Sequence, residues 1–429
     1  MSSEVAEKRM HRQLMRLAIP AVVIGVLSAG LLWAIDSVAE VIEHAIWGSL
    51  PAALGAAPDA AWWIIGVLTV TGVAVGAIIK YAPGHGGHDS ATTELIAPVL
   101  KLSALPGVAA ALILGLAGGV SLGPESPIIA IAVALAVSLC RKFAPRVPPA
   151  YVLMMAAAGM LGAMFGTPVA AALLLTETVA AAKKGGLLWD RLFGPVAAAG
   201  TAALVADALG ISMAGQGLIP DYGGPELWHV LVAIPIALVA ALVGIAAAWA
   251  MPRLWHLFRS LKNPLLYVTA GGAVLGILGA IGGPITLFKG SDQTAELIGR
   301  ADSMSAWALI AVAVIKVAAL VVAAAAGFRG GRIFPSLFIG VAIGLTANSL
   351  FPDIPLALAL ACGVLGMVLA VGRDGWLALF LATALAGDVS IMSVLCIVVL
   401  PVWLLVTSAP EMIVHEPEEL EAEKADPLL

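Results

Sequence analysis

The sequence predicts an all-α polytopic membrane protein, built as two related halves of tilted and broken helices. Three observations predict it. Hydrophobic residues make up 61% of the 429 positions and charged residues only 11%, where a soluble domain carries about 25% charged. Too few charges remain to cover a soluble surface of this size, so lipid must face most of it. The apolar residues fall in roughly 14 stretches, several too short to cross a bilayer core about 30 Å thick unaided. Finally, 46 glycines and 26 prolines interrupt those stretches. A break in a membrane helix must be buried in protein or face a cavity, so many breaks imply a thick bundle with internal sites. The formal net charge of -5 lies largely in the C-terminal tail, and nothing in it supports binding to nucleic acid.

The chain opens on a polar, basic segment, residues 1–16, with Lys8, Arg9, Arg12 and Arg16. Positive charge beside a span marks the cytoplasmic side, and no small-residue cleavage pattern follows the apolar run from Leu17 to Trp33. The first half of the membrane domain is assigned to 17–252. It begins with a helix to about residue 48, a loop over 51–61 and a span over 62–81. Pro83 to Asp89 forms a turn-rich loop. Helices follow at about 105–118, 127–143, 150–164, 168–182, 188–210 and 226–251. A polar connector, 253–264, leads to a second half, 265–408. Its spans are expected at 265–282, 305–326, 333–350, 355–372 and 375–407, with a polar loop over 290–305. Residues 409–429 form an acidic tail assigned to the cytoplasm. Cys140, Cys362 and Cys396 lie in or beside apolar segments, too far apart for a metal or disulfide pattern, and are expected as small core residues.

The two halves share a pattern. Gly118 to Leu139 reads GGVSLGPESPIIAIAVALAVSL and Gly327 to Leu350 reads GFRGGRIFPSLFIGVAIGLTANSL. Each is a glycine-rich stretch, a proline and an apolar helix. A second match follows in each half, Gly159-Met160-Leu161-Gly162 and Gly363-Val364-Leu365-Gly366. Duplicated halves with interrupted helices in corresponding places point to a transport site near the bilayer midplane.

The chemistry sits at those interruptions. In GPESP, Gly123 ends a permissive stretch and Pro124 can start a helix but not continue one. Ser126, Pro127 and the apolar run after them form a helix that starts inside the membrane domain, and its first amides have no intrahelical partner. The helix dipole adds roughly half a positive charge there. A buried helix start is therefore an anion site. Glu125 can occupy such a site itself, and its protonation would release it, which makes a gate sensitive to pH and to competing anion. The plainer alternative is a carboxylate that only complements the dipole. A charge in an apolar region costs about 2.5–3.5 kcal/mol on insertion scales, which argues for more. In the other half GGRIFP starts a second helix, with the amides of Arg332 and Ile333 as donors. Arg329 and Arg332 add positive potential, or anchor an interface by snorkelling.

Other patterns carry less. His85, His88, Asp89 and Glu94 have no diagnostic metal spacing. His88 is a pathway-lining candidate because imidazole titrates near neutral pH. Gly119 to Gly123 matches G-x-S-x-G but lies between membrane helices, not on the strand–turn–helix that motif needs. Arg373 and Asp374 are expected to pair at a helix break.

Lys80-Tyr81-Ala82-Pro83, GGVSLGPESP, Phe165-Gly166-Thr167-Pro168 and GGRIFP occur in the order of the anion-pathway motifs of the CLC chloride channel and transporter family. Over roughly residues 60–405 the chain resembles that family, and within it the YfeO-type branch, where GGVSLGPE, FGTPVAAAL, LWDRLF, GFRGGRIFP and RDGWL recur. The resemblance implies a CLC-like inverted repeat and a homodimer in a bacterial inner membrane, with both termini cytoplasmic. One pathway per subunit would carry chloride or another halide, voltage-gated or proton-linked, with no cofactor. Glu125 matches the family's gating glutamate. Gly123, Pro124 and Ser126 fall in its GREGP segment, and Arg332, Ile333 and Phe334 in its GxFxP segment. The family's central serine falls at His88, with Ser90 two residues on. Its inner proton-transfer glutamate falls at Thr178, preceded by Glu177, and its central tyrosine falls near Met412 and Ile413. The alternative from another class is a membrane enzyme or a non-conducting scaffold; the duplicated Gly-Pro helix starts favour transport.

Overall fold

The computed structural model describes residues 3–166, 168–181, 188–211 and 217–415, without the side chains of 3–16, 172 and 177–181. It is all-α. Among the described residues eight helices are long and apolar enough to cross a membrane, and the shorter apolar ones pair with them to complete the bundle.

The first half contains α1 (Ser3–His44), α2 (Leu50–Leu54), α3 (Ala61–Tyr81), α4 (Leu105–Ala117), α5 (Glu125–Phe143), α6 (Pro149–Phe165), α7 (Pro168–Ala181) and α8 (Leu188–Ala208). The long α9 (Leu227–Arg259) leads to α10 (Pro264–Gly282), α11 (Ser291–Arg300), α12 (Ala306–Ala325), α13 (Ile333–Leu350), α14 (Leu356–Gly372), α15 (Gly375–Ala386) and α16 (Met392–Thr407). The polar stretch from Arg253 is thus helical as far as Arg259. Asn263 then caps α10 by accepting from the Leu265 amide at 3.2 Å.

Three boundaries differ from the sequence expectation, each for a local reason. The first helix does not stop near residue 48. It passes through a wide turn at Ala45–Ser49 into α2 and ends at Gly55, whose φ of 64° is left-handed. Pro51, which has no N–H to give the ladder, follows directly on the wide turn. The polar loop expected over 290–305 contains α11, because Thr294, Leu297 and Ile298 recur at helical spacing and are buried. The single span expected over 375–407 is two helices. Gly387 closes α15 at φ 69°, and Asp388 accepts from the Ser390 amide at 2.8 Å, so the chain turns before α16 begins.

Among the described residues the most buried helix is α14. Every residue of α14 from Ala357 to Val371 is buried. Close packing between helices in lipid relies on small residues rather than on expulsion of water. The glycines matched between the halves serve this purpose. A Cβ on Gly162 would strike Ala199 of α8, and one on Gly366 would strike Ala237 of α9.

Among the described residues one isolated β-bridge joins the halves. Gly123 N–H donates to Gly331 O at 2.9 Å and Gly331 N–H donates to Gly123 O at 2.7 Å, an isolated antiparallel pair. Each glycine lies two residues before a buried helix, α5 at Glu125 and α13 at Ile333. The reciprocal bonds therefore bring two helix starts together.

Candidate ion-pathway site

The break before each of these helices is built the same way. α4 ends just ahead of Gly119 at φ 86° and α12 just ahead of Gly327 at φ 84°. Such a backbone is free of steric cost only for glycine. The chain then extends to the Gly123–Gly331 bridge and turns into the next helix. The opening amides of a helix have no partner within it; because Pro124, Pro127 and Pro335 carry no N–H, those left at these two starts are Glu125 and Ser126 in α5 and Arg332, Ile333 and Phe334 in α13.

Glu125 crosses from one half to the other. It is wholly buried, and its Oε1 accepts the Phe334 N–H at 2.7 Å. The Ile333 amide faces the same carboxylate. Oε2 has no partner among the described residues. The side chain runs directly over both bridging glycines: a Cβ at Gly123 or at Gly331 would collide with the carboxyl group. So the glycines are required twice, for the bridge and for room beside the carboxylate. Phe334 is fixed by stacking on Phe165, with ring centroids 5.4 Å apart.

Pro124 stands at the N-cap of α5, and Ser126 faces two cavities. One is lined by Arg332, Ile333, Arg373, Met412 and Ile413. The other, much smaller, is lined by His88, Ser90, Thr93 and Gly330. Within the small cavity the Ser90 hydroxyl donates to Phe328 O at 2.6 Å and accepts from Gly330 N–H at 2.8 Å. Its one proton is engaged by the backbone ahead of the bridge. His88 Nε2 lies 3.1 Å from Pro98 O. Arg332 donates from Nη2 to Thr93 O at 3.2 Å, leaving Nη1 without a partner. Glu177 and Thr178 lie on α7, but their side chains are outside the described part of the molecule.

Arg329 is drawn into a clamp. It is buried, donates to His85 O at 3.0 Å, and lies 3.8 Å from Asp89. Asp89 also accepts from Arg259, whose guanidinium stacks over Tyr267 at 4.1 Å. These contacts tie the turn-rich loop to the bridge segment and to the end of α9. Arg373 and Asp374 lie at the break between α14 and α15. Asp374 caps α15 by accepting from the Leu377 amide at 2.7 Å, and Arg373 donates to Ala409 O.

Two lysines also lie near the junction. Lys316 is wholly buried in α12, and its three donors reach Thr286 O, Leu287 O and Phe288 O at 3.0, 2.7 and 2.7 Å. A lone charge inside an apolar run is a legible signal. Lys289 follows that carbonyl segment. It pairs with Asp36 at 3.3 Å and lies 6.0 Å from the Phe334 ring. Only the tertiary contact marks it.

A bundle of broken helices whose two halves present buried helix starts to one carboxylate defines a membrane transport protein of the CLC type. A model of the voltage gated chloride channel family matches residues 67–402, and the chain belongs to that family. Its members are channels or transporters, so this chain is a multi-pass ion-transport protein and not an enzyme. It is 46% identical over 411 residues to proteins named "Putative ion-transport protein YfeO" from Shigella boydii serotype 4 and Escherichia coli K12, covering 95% of this chain and 97% of theirs. Among solved structures it resembles a slow cyanobacterial Cl-/H+ antiporter, with a TM-score of 0.76 at 16% identity over 92% of this chain and 94% of that one. It also resembles a CLC-type fluoride/proton antiporter, with a TM-score of 0.67 at 17% identity over 93% and 99% of the two chains. At these identities the likeness is one of fold.

Proposed function

We propose that this chain passes a small inorganic anion of the chloride class through the Gly123–Gly331 junction, with Glu125 as the gate. The observation that carries this is the Phe334 N–H held on Glu125 Oε1 at 2.7 Å. A buried amide that binds a carboxylate can bind a halide in its place, because both present negative charge to an unpaired donor. Ile333 and Phe334 supply the amides. Gly123 and Pro124 set the close approach, and Ser126 and Arg332 line the way in. Protonation of Glu125 removes the charge that holds it there and frees the donors. Protons are therefore part of the reading, and both solved neighbours named above are described as proton antiporters.

The positions of Glu177 and Thr178 on α7 are proposed as the far end of a proton route, and His88 as a group lining the entry. Ser90 is proposed to act by holding the bridge segment in place. A homodimer in a bacterial inner membrane, with both termini cytoplasmic, completes the proposal.

The test is anion efflux from liposomes with simultaneous proton recording, across chloride, fluoride and nitrate. Halide efflux that speeds up on acidification is expected, and proton movement against the anion separates an exchanger from a channel. A protein that passes no halide at any pH, with or without a gradient, overturns the proposal in favour of a non-conducting scaffold.

A further inference from the structure

The last turns of α5 and the segment 99–102 enclose a cavity of about 560 Å³. Ser138, in its wall, is about 20 Å along α5 from Glu125, at about 1.5 Å per residue. Beside apolar side chains and Ser138, the cavity is lined by three cations, Lys101, Arg141 and Lys142, and by no carboxylate. None of the three makes an ion pair among the described residues.

Cations in the last turn of a helix complement its dipole, but the dipole does not demand them here. α13, which matches α5 in the other half, ends with no basic residue in its last turn. Lys101 belongs to no helix; it stands just ahead of the short turn at Leu102–Ala104, and folding alone brings it to the end of α5. Positive charge near a span marks one side of the membrane, yet that rule does not gather charges from two segments around one cavity. Like charges so placed repel, and an anion between them relieves the repulsion. The surroundings say what kind of anion. Leu135, Leu139 and Phe143 recur every fourth residue on α5 and are exposed, as are Val99 and Leu102. α5 is long and apolar enough to cross a membrane, so exposed apolar side chains near its end face acyl chains, and the cavity opens beside lipid.

We infer that this cavity seats the headgroup of an anionic phospholipid, its phosphodiester among Lys101, Arg141 and Lys142 and its acyl chains along Leu135, Leu139 and Phe143. Basic pockets between helices at a membrane surface take lipid phosphates. Arg141 offers a planar fork to two phosphate oxygens, the lysines offer point charges, and the Ser138 hydroxyl offers a donor one turn deeper. A zwitterionic lipid brings an ammonium group up against the same three cations, which disfavours it. The site lies apart from the ion pathway and does not depend on the Glu125 gate.

The test is native mass spectrometry of the purified full-length protein, titrated in micelles with phosphatidylglycerol or with phosphatidylethanolamine of the same chains. Each Lys or Arg at an anionic surface strengthens attraction about fivefold. With partial screening, a preference of about tenfold for phosphatidylglycerol is expected. In the triple variant Lys101→Gln, Arg141→Gln, Lys142→Gln it should fall to near one. All three side chains are exposed, so the fold should survive. Ser138→Trp keeps every charge but fills the cavity, and should lose the preference as well. Lys262→Gln removes an exposed lysine from another basic cluster and should leave it intact. Equal binding of the two lipids by the unmodified protein overturns the site. So does an unchanged preference in the triple variant or in a folded Ser138→Trp, and so does an equal fall in Lys262→Gln, each of which reduces the cluster to diffuse surface charge. Displacement of the lipid by inorganic phosphate at constant ionic strength also overturns it, by giving the cavity to a free anion.

Discussion

Phe334 donates its backbone N–H to Glu125 Oε1 across 209 positions of sequence, at 2.7 Å. This one bond joins the helix start of one half to the side chain of the other, and it sets the first prediction.

A hydrogen bond to a charged partner contributes about 1.5–3 kcal/mol and a neutral one about 0.5–1.5 kcal/mol. Deprotonated Glu125 therefore holds the Phe334 amide more strongly than protonated Glu125 does. Lowering the pH neutralises the carboxylate, weakens that hold and should speed anion efflux. Glu125→Gln is neutral at every pH. Its efflux near neutral pH should rise about tenfold, the equivalent of about 1.4 kcal/mol, and should become flat with pH. Liposome efflux measured from neutral pH down towards the ordinary glutamate range of about 4.3 checks this; a retained pH profile removes Glu125 from the gate.

Gly123→Ala places a methyl group against the Glu125 carboxyl. Overpacking of this kind costs about 1–3 kcal/mol. Because every close atom belongs to the Glu125 side chain, Glu125→Ala should remove most of the cost. A double-mutant cycle by thermal unfolding in detergent should thus show strong coupling. Simple additivity of the two changes would place the collision elsewhere.

Lys316→Met should loosen the segment that Lys316 holds. The substitution withdraws a donor from each of three carbonyls, at Thr286, Leu287 and Phe288. An orphaned buried acceptor costs about 1–3 kcal/mol. Removal of a desolvated cation offsets part of this, so a net loss of about 2 kcal/mol is expected. Hydrogen exchange should accelerate from Pro284 to Lys289 more than in α13 or α14. Uniform acceleration across the bundle would show that Lys316 is not a local anchor.

Asp89→Ala leaves the buried Arg329 and its neighbour Arg259 without their shared carboxylate. Asp89 and Arg259 are only partly buried, so the loss should be that of a hydrogen bond to a charged group, about 1.5–3 kcal/mol. The thermal midpoint in detergent should fall accordingly, and Asp89→Glu should restore part of it. A midpoint equal to that of the unmodified protein would show the clamp to be idle.

The site was legible in the sequence to the extent that its backbone chemistry is local. GPESP and GGRIFP state that two helices start at Gly-Pro interruptions inside apolar segments, and Glu125 stands at one of them as an acid where acids are costly. Lys316 is equally readable as a single charge in the run from Ala306 to Ala325, but its partners are carbonyls from another segment, which the sequence does not identify. Lys289 and the unpaired faces of Arg332 and Arg373 were not readable. In sequence they are basic residues in polar loops or helix breaks, and what distinguishes them is which donors remain free after folding. The break at Gly387 was hidden for a different reason: hydrophobicity continues on both sides of it, and composition does not record a turn.

By itself the sequence determined the solvent, the class of fold and the pairing of its halves, because charge content, apolar length and repeated glycine breaks are properties of the chain read in order. Tertiary structure alone decided which half's amides meet which half's carboxylate. The Gly123–Gly331 bridge closes only when strands of chain 208 residues apart come together in antiparallel sense. Once it closes, donors left over at two buried helix starts lie within reach of the other half's groups, and their choice of partner is made by proximity.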